Sequence, residues 1–164
     1  DPTVDGVKTG FTEAAGYCLI ASSKRGARRL LSELLGSTSE SARAQEWQQL
    51  LNWGFQYFDA VKLYGEGQAV KEIEVWKGEK RQLKAGFQSD LVLTVPKGQV
   101  DKIKGDLVTR TPLVAPIAAG QRVGSLRVSL DGKCAGEYPV YALESIPEAG
   151  FLSRAWDTLR LWLK

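Results

Sequence analysis

The chain has 164 residues, 43% of them hydrophobic and 25% charged, which suits one average globular domain or two small ones. It contains no histidine, which excludes mechanisms that need an imidazole base, and its two cysteines, Cys18 and Cys134, are too few to predict a structural zinc site. The net charge of +3 is small and its charges are mixed in sign, so no nucleic-acid partner is expected.

The first region of the chain, residues 4–58, opens with two predicted strands. They are the apolar runs 7–11 and 16–21, which are separated by a turn. Residues 28–35 favour a helix by composition, but the segment is short and ends at Gly36. A helix and a hairpin strand are therefore equally consistent with it.

Residues 39–58 predict a helix more clearly. Ser39 or Ser41 can cap its N-terminus. Apolar residues recur at spacings of three and four, as one helix face requires. They are Ala44, Trp47, Leu51, Phe55 and Phe58.

From residue 61 to residue 146 the apolar period changes to two, which is typical of half-buried strands. The candidate strands are 70–76, 91–95, 122–130 and 138–143. The dipeptide Asp131-Gly132 is a strong hairpin signal. The region predicts a compact all-β domain with a sandwich-like arrangement. We expect the two cysteines to be small buried residues, although a disulfide between them stays open.

A terminal helix is predicted after residues 147–150, which break the strand pattern and should separate the helix from the β domain. One side of the helix is apolar and the other is polar, with Asp157 on the polar side. The helix is too short to cross a bilayer. It suits either a position in the interface of an anionic membrane or packing on the β domain.

The tripeptide Lys8-Thr9-Gly10 on the first predicted strand is the candidate for chemical function in this sequence. A lysine ammonium and a threonine hydroxyl can bind a substrate carboxylate, and a glycine lets the substrate backbone lie against the strand. Lys-Thr-Gly is a signature of penicillin-binding proteins and class A β-lactamases.

The context of this tripeptide resembles the low-molecular-mass penicillin-binding proteins, which are serine-type D-alanyl-D-alanine carboxypeptidases. Residues 5–22 resemble their Lys-Thr-Gly strand and the strand after it, and residues 50–55 resemble the last helix of their transpeptidase-like domain. Residues 61–146 resemble their membrane-proximal β domain, and the terminal helix resembles their membrane anchor.

This resemblance implies roles for particular residues. The backbone N–H of Phe11 would form half of an oxyanion hole, and Lys8, Thr9 and Gly10 would bind the substrate. Arg43 falls where these enzymes carry an arginine that approaches the substrate carboxylate, although a solvated arginine near the helix start is an equal alternative. The residues implied in membrane binding are Phe151, Leu152, Arg154, Trp156, Leu159, Arg160, Trp162 and Leu163.

The nucleophile of this family is absent from the sequence. No serine has a lysine three positions later, and no Ser-x-Asn occurs. We expect both motifs before Asp1 in a longer parent chain, so the segment alone should form no acyl-enzyme. No metal or organic cofactor is implied.

The sequence therefore predicts an α+β chain in three parts. Residues 1–57 would end an α/β transpeptidase-like, β-lactamase-like catalytic domain, residues 58–146 would form the β domain, and residues 147–164 would be an amphipathic anchor. The resemblance implies removal of D-alanine from peptidoglycan pentapeptides at the periplasmic face of the bacterial inner membrane, with β-lactam antibiotics as inhibitors. The alternatives are a non-catalytic, membrane-associated interaction module and a β-lactam hydrolase relative.

Overall fold

A computed structural model describes residues 1–109 and 112–162, without the side chains at positions 152, 153, 159 and 161. The chain forms two compact units. Unit 1 comprises Asp1–Ala60 and Thr94–Gly98, and unit 2 comprises Val61–Leu93 and Gln99–Lys164. The short segment Thr94–Gly98, which the sequence pattern assigned to the β domain, thus groups with unit 1.

Unit 1 is built on a three-stranded antiparallel sheet. Its strands are β1 (Val4–Thr12), β2 (Gly16–Arg25) and β3 (Arg28–Ser37), in the order β1-β2-β3. The ambiguous segment 28–35 is therefore a hairpin strand. Arg25 pairs with Arg28, and Gly26 takes a φ of 61° in the turn, a value that glycine adopts without strain.

Helix α1 (Glu40–Tyr57) follows this sheet, and the predicted cap is confirmed because the Ser39 side chain accepts a hydrogen bond from the Ala42 N–H at 3.1 Å. The predicted apolar face is right in its centre and wrong at its ends. Ala44 is exposed, and Phe58 begins the next strand because the helix stops at Tyr57.

The core of unit 1 lies between α1 and the two strands β2 and β3. Its buried residues are Leu19, Ala21, Trp47, Leu51 and Phe55. The indole N–H of Trp47 donates to the Ser32 hydroxyl at 2.6 Å, so the polar tip of the buried ring is satisfied by a strand. These contacts fix β2 and β3 on the helix.

The C-terminal end of α1 is held by an arginine of the sheet. The Arg28 guanidinium donates to the carbonyl of Phe55 at 3.0 Å and to the carbonyl of Phe58. Carbonyls at a helix C-terminus have no partner within the helix and carry partial negative charge, so a guanidinium stabilises this end. Arg25 also lies over the Phe55 ring, with 4.5 Å between its Cζ and the ring centroid.

The strands after α1 are β4 (Phe58–Tyr64), β5 (Ala69–Trp76), β6 (Gln82–Gly86), β7 (Leu91–Pro96), β8 (Ile103–Thr109), β9 (Leu113–Val114), β10 (Arg122–Leu130) and β11 (Lys133–Ala142). Six of them form one sheet in the order β8-β10-β11-β6-β5-β9, and β4 pairs with β7. All four predicted strands are present. The strands β4, β6, β8 and β9 were not predicted.

The hairpin between β10 and β11 confirms the turn signal. Leu130 pairs with Lys133, and Asp131 and Gly132 have φ values of 51° and 78°, as a two-residue turn of this kind requires. In β10 the predicted alternation holds, because Leu126 and Val128 are buried. Both cysteines are free thiols; Cys18 is half-buried and Cys134 is exposed on β11, so the prediction of two buried cysteines is wrong for Cys134.

The core of unit 2 follows the same alternation, because the positions of its strands that point inward carry aliphatic residues. Its buried residues include Ile73, Val75, Leu83, Ala85, Val123, Leu126, Val128, Val140, Ala142 and Ile146.

Two adjacent leucines of α1 allow a test of the unit 1 core. Leu51 is 1% exposed and Leu50 is 40% exposed. We expect Leu51→Ala to lower the free energy of unfolding of unit 1 by about 2–5 kcal/mol, because it leaves a cavity, and Leu50→Ala to lower it by less than about 1 kcal/mol. Urea unfolding followed by tryptophan fluorescence would measure both. Equal losses would contradict the packing described for α1.

Candidate functional site

The tripeptide Lys8-Thr9-Gly10 lies in the middle of β1, which is at the edge of the three-stranded sheet. Lys8 pairs with Ile20, Thr9 with Leu19 and Gly10 with Cys18. All three residues of the tripeptide are exposed. Because β1 has only β2 as a neighbour among the described residues, alternate backbone N–H and C=O groups of β1 point away from the sheet and are open to another chain.

The packing of unit 1 does not require a glycine at position 10. A Cβ atom added to Gly10 would lie 3.9 Å from the Cβ of Cys18, which is an ordinary van der Waals contact. Gly10 is also not among the residues with positive φ in the described chain. The missing side chain instead leaves the surface of the edge strand flat, which is what close approach of a ligand backbone needs.

Arg43 of α1 lies beside the end of the β1–β2 hairpin. The Phe11 and Tyr17 rings have centroids 4.4 Å apart, and Arg43 Cζ is 5.7 Å from the Tyr17 centroid. The Arg43 guanidinium also lies 3.1 Å from a Glu40 carboxylate oxygen. Its side chain is 13% exposed, so the solvated-arginine alternative does not describe it.

The predicted site residues fall on the two faces of β1. Thr9 and Phe11 share the face of their partners Leu19 and Tyr17, which is the face that α1 covers. Lys8 and Gly10 occupy the other face, and Lys8 Nζ is 3.3 Å from the Thr9 carbonyl oxygen. The structure therefore places Phe11 and Arg43 together, with Lys8 on the opposite face of the same strand.

Asp5, three residues before Lys8, forms an ion pair across the sheet. Its two carboxylate oxygens accept hydrogen bonds from Arg29 of β3, both at 2.6 Å, and Arg29 also donates to Ser22 of β2 at 2.5 Å. The hydrogen bonds from Arg29 hold the pKa of the Asp5 carboxyl below its ordinary value, and the same pair raises the pKa of Arg29. Asp5 thus ties the start of the Lys-Thr-Gly strand to the other two strands.

This ion pair was not predicted from the sequence. The β1–β2 pairing shifts register between Val4 and Gly6, and the β2–β3 pairing shifts between Tyr17 and Leu19. Such irregularities cannot be read from an apolar pattern. The only available signal was the position of Asp5 beside the motif.

Helix α2 (Phe151–Trp162), part of unit 2, exposes large aromatic side chains. Phe151 is 78% exposed, Trp156 59% and Trp162 84%. Arg160 is exposed, and Arg154 is paired with Glu148. The side chains of Leu152, Leu159 and Leu163, also predicted to bind a membrane, lie outside the described residues. Among the described residues, no helix combines the length and apolarity needed to cross a bilayer.

One residue of the polar side of α2, Asp157, faces inward. Asp157 is 3% exposed, and its Oδ2 accepts a hydrogen bond from the Lys77 N–H at 2.8 Å. Its Oδ1 is 3.5 Å from Arg81 Nη2 and receives no hydrogen bond within the described residues. The sequence pattern predicts only that Asp157 lies on the polar side of the helix. In the structure a backbone donor and a guanidinium of unit 2 both approach its carboxylate.

The segment before α2 is also attached to unit 2, so the expectation that residues 147–150 separate helix from domain is wrong. The Pro147 carbonyl accepts from the Glu79 N–H at 3.0 Å, and the Ala149 N–H donates to the Lys77 carbonyl at 2.8 Å. Ile146 and Ile117 exchange two hydrogen bonds of 2.9 Å just before it. Hydrogen-bonded backbone of this kind does not act as a free linker.

Comparison with known proteins agrees with this pair of units. The family profile described as "Penicillin-binding protein 5, C-terminal domain" matches residues 58–148, and the profile described as "D-alanyl-D-alanine carboxypeptidase" matches residues 1–39. The chain therefore belongs to the penicillin-binding protein 5 family of D-alanyl-D-alanine carboxypeptidases.

Individual relatives point to the same family. D-alanyl-D-alanine carboxypeptidase DacC of Escherichia coli is 37% identical over 94% of this chain and 39% of its own length. DacA of Haemophilus influenzae is 35% identical over 98% of this chain and 42% of its own length. The crystal structure of penicillin binding protein 5 from H. influenzae aligns with a TM-score of 0.83 at 34% identity, over 89% of this chain and 43% of that one. The chain thus spans about two fifths of the length of these relatives.

The ion pair of Asp5 predicts a pH dependence of unit 1. A carboxyl whose pKa is lowered on folding stabilises the fold above its ordinary pKa of about 4, and this stabilisation disappears as the pH falls through the lowered value. We expect Asp5→Asn to lower the melting temperature at pH 7 and the difference from the parent chain to shrink below about pH 4. Glu13→Gln, in the β1–β2 turn, is the control. A difference that is constant with pH would contradict the role of the ion pair.

Proposed function

We propose that the chain is the C-terminal part of a serine-type D-alanyl-D-alanine carboxypeptidase that removes the terminal D-alanine of peptidoglycan pentapeptides. The observation that carries this proposal is the Lys8-Thr9-Gly10 motif on an exposed edge strand, with a glycine that packing does not require. The names of the relatives DacC and DacA support the same reaction.

In this proposal the edge of β1 binds the substrate. A peptide that lies along the edge reaches side chains of both faces, so it can meet Lys8 and Arg43 although they are on opposite sides. Lys8 supplies positive charge and Thr9 a hydroxyl to the terminal carboxylate, and Arg43 supplies a guanidinium that can bind it in a bidentate manner. The Phe11 N–H donates to the oxyanion that forms at the scissile carbonyl.

The covalent step belongs to the longer enzyme. A serine oxygen outside these 164 residues attacks the carbonyl between the two D-alanines, the terminal D-alanine leaves as the amine, and water hydrolyses the resulting ester. β-Lactam antibiotics would acylate the same serine. Because the chain has no Ser-x-x-Lys motif, we infer that it does not by itself form an acyl-enzyme or a covalent penicillin adduct.

We further propose that α2 attaches the protein to the periplasmic face of the bacterial inner membrane. Phe151, Trp156 and Trp162 offer exposed aromatic surface to the boundary between headgroups and acyl chains. The exposed Arg160 favours anionic lipid by about 1 kcal/mol. Arg154 already has Glu148 as a partner, so its electrostatic contribution is smaller than that of a free cation. Attachment of this strength is peripheral and reversible.

Substitutions in the full-length enzyme would test the site. We expect Lys8→Ala to lower kcat/KM for a peptide ending in D-Ala-D-Ala by a factor on the order of 100 or more, because it removes positive charge at the reacting centre. We expect Arg43→Ala to lower it roughly 10- to 100-fold, and Arg43→Lys to restore part of the loss.

The control for Lys8 is Lys24→Ala, since Lys24 is also exposed but lies on the neighbouring strand β2. A peptide whose terminal carboxylate is amidated should show a much smaller effect of Arg43→Ala. Unchanged turnover in the Lys8 variant would refute the carboxypeptidase site, and unchanged turnover in the Arg43 variant would limit Arg43 to holding Tyr17 and Glu40.

Tryptophan substitutions would test the attachment to a membrane. We expect the chain to co-sediment with vesicles that contain phosphatidylglycerol, and added salt to weaken binding. The double variant Trp156→Gln, Trp162→Gln should bind at least about tenfold more weakly, because both rings leave the lipid surface. Trp53→Gln, at an exposed tryptophan of unit 1, should bind as the parent chain does. Equal binding of all variants would contradict the proposal that α2 attaches the chain to a membrane.

A further inference from the structure

Helix α2 turns an acidic side chain toward unit 2. A surface helix ordinarily turns its apolar stripe to the core and its charges to water. Among the side chains of α2 that the structure describes, the buried one is Asp157, while Ala155 and Trp162 on the other side of the helix are exposed. The single acidic residue of the helix is therefore withdrawn from the outer surface, which is left apolar and cationic.

The backbone of Lys77 holds the helix in this rotation. Lys77 has a φ of 60°, an uncommon value for a residue other than glycine. Its N–H donates to Asp157 and its carbonyl accepts from Ala149, so one residue is bonded to both the helix and the segment before it. Arg81, 3.5 Å from the other oxygen of Asp157, adds an opposite charge to the same contact. We call this group of Lys77, Arg81 and Asp157 the latch.

The outer surface of α2 continues onto an edge strand of the β unit. A cavity of about 430 Å³ lies between the N-terminal half of the helix and β9, and both Val114 and Phe151 line it. Val114 is 39% exposed and ends the short strand β9, which is the last strand of the six-stranded sheet on that side. A flat surface that contacts Phe151 from the solvent side therefore also lies near Val114.

We propose that the membrane-facing surface of this protein is composite, formed by the aromatic side of α2 together with Val114 of β9, and that the latch of Asp157 holds the two together. The partner is the surface of an anionic phospholipid bilayer, because the exposed groups of α2 and Val114 are aromatic, aliphatic and cationic and the one acid of the helix is buried. Glu148, which also lines the cavity, is neutralised by its ion pair with Arg154. This inference rests on the proposed attachment of α2 to a membrane. The composite surface adds to that proposal that unit 2 itself contacts the lipid and is not joined to the membrane by a flexible linker.

Two valines at opposite ends of the six-stranded sheet make a matched test in the whole chain. Val114 on β9 is 39% exposed and Val108 on β8, the strand at the other end, is 41% exposed. We expect Val114→Asp to weaken binding to vesicles of phosphatidylglycerol and phosphatidylcholine roughly tenfold, since it removes apolar contact and adds negative charge at the lipid. Val108→Asp should leave binding unchanged.

The latch is tested by Asp157→Ala and Asp157→Asn. Asparagine keeps an oxygen that can accept from the Lys77 N–H, and alanine does not. In hydrogen exchange without lipid, we expect the α2 amides to lose protection roughly tenfold or more in the alanine variant and less in the asparagine variant, with β10 unchanged. In vesicle binding, the effect of Val114→Asp should disappear in the Asp157→Ala background, because the two surfaces are then no longer held together.

The outcomes separate the composite surface from the anchor itself. If the parent chain does not bind vesicles, both proposals fall. If it binds and Val114→Asp behaves like Val108→Asp, the anchor stands and the composite surface is refuted. Unchanged α2 exchange in Asp157→Ala refutes the latch. If the parent chain is a dimer in solution that Val114→Asp dissociates, the surface receives a second copy of the chain and the lipid proposal is overturned.

Discussion

The pairing of β1 with β2 is the contact on which the candidate catalytic surface depends. Within the described residues β1 has no second strand beside it, so its position is determined by β2 and by side-chain contacts. β2 is in turn fixed because Leu19 and Ala21 are buried against α1. An edge strand that pairs on one side only can bind a peptide on its other side. Its position is then fixed only weakly by backbone hydrogen bonds.

Side chains compensate for this weak determination at both ends of the strand. At its start, Asp5 is tied to Arg29 across the whole sheet, and at its end Phe11 stacks on Tyr17, which Arg43 covers. The first contact reaches β1 from β3, and the second reaches it from Tyr17 of β2, which Arg43 of α1 covers. The middle of the strand, where Lys8, Thr9 and Gly10 lie, is left without such cover. Rigid ends and an open middle are what a preorganised binding edge requires.

The sequence was sufficient where a local rule decides the structure. The cap of α1 at Ser39, the turn at Asp131-Gly132 and the alternation of β10 each depend on residues that are close together in the chain. The sequence was insufficient to predict elements whose structure depends on residues far away in the chain. Residues 28–35 became a strand because β2 was available to pair with them, which overrides their helical propensity.

Asp157 shows the limit of pattern reasoning most clearly. The amphipathic period of α2 is real, and it was read correctly as one apolar and one polar side. The pattern alone cannot say which side meets the protein, because that depends on a backbone N–H and a guanidinium about 80 residues earlier in the chain. A helix with an ordinary core would bury the tryptophans. Here the partners offered by unit 2 are polar, so the side chain that is buried among those described for α2 is Asp157.

The candidate peptide-binding edge of β1 and the candidate membrane-facing surface of unit 2 both contain residue types that the fold does not require. Packing would allow a side chain at Gly10, and a self-contained unit 2 has no need of exposed rings at Trp156 and Trp162. Exposed aromatic residues and unneeded glycines add nothing to stability in water, so their presence points to a second partner. The partners differ in kind. An edge strand with a cation and a hydroxyl suits one extended peptide with a carboxylate, whereas a broad apolar face on a helix that buries its one acid suits a surface that has no single shape.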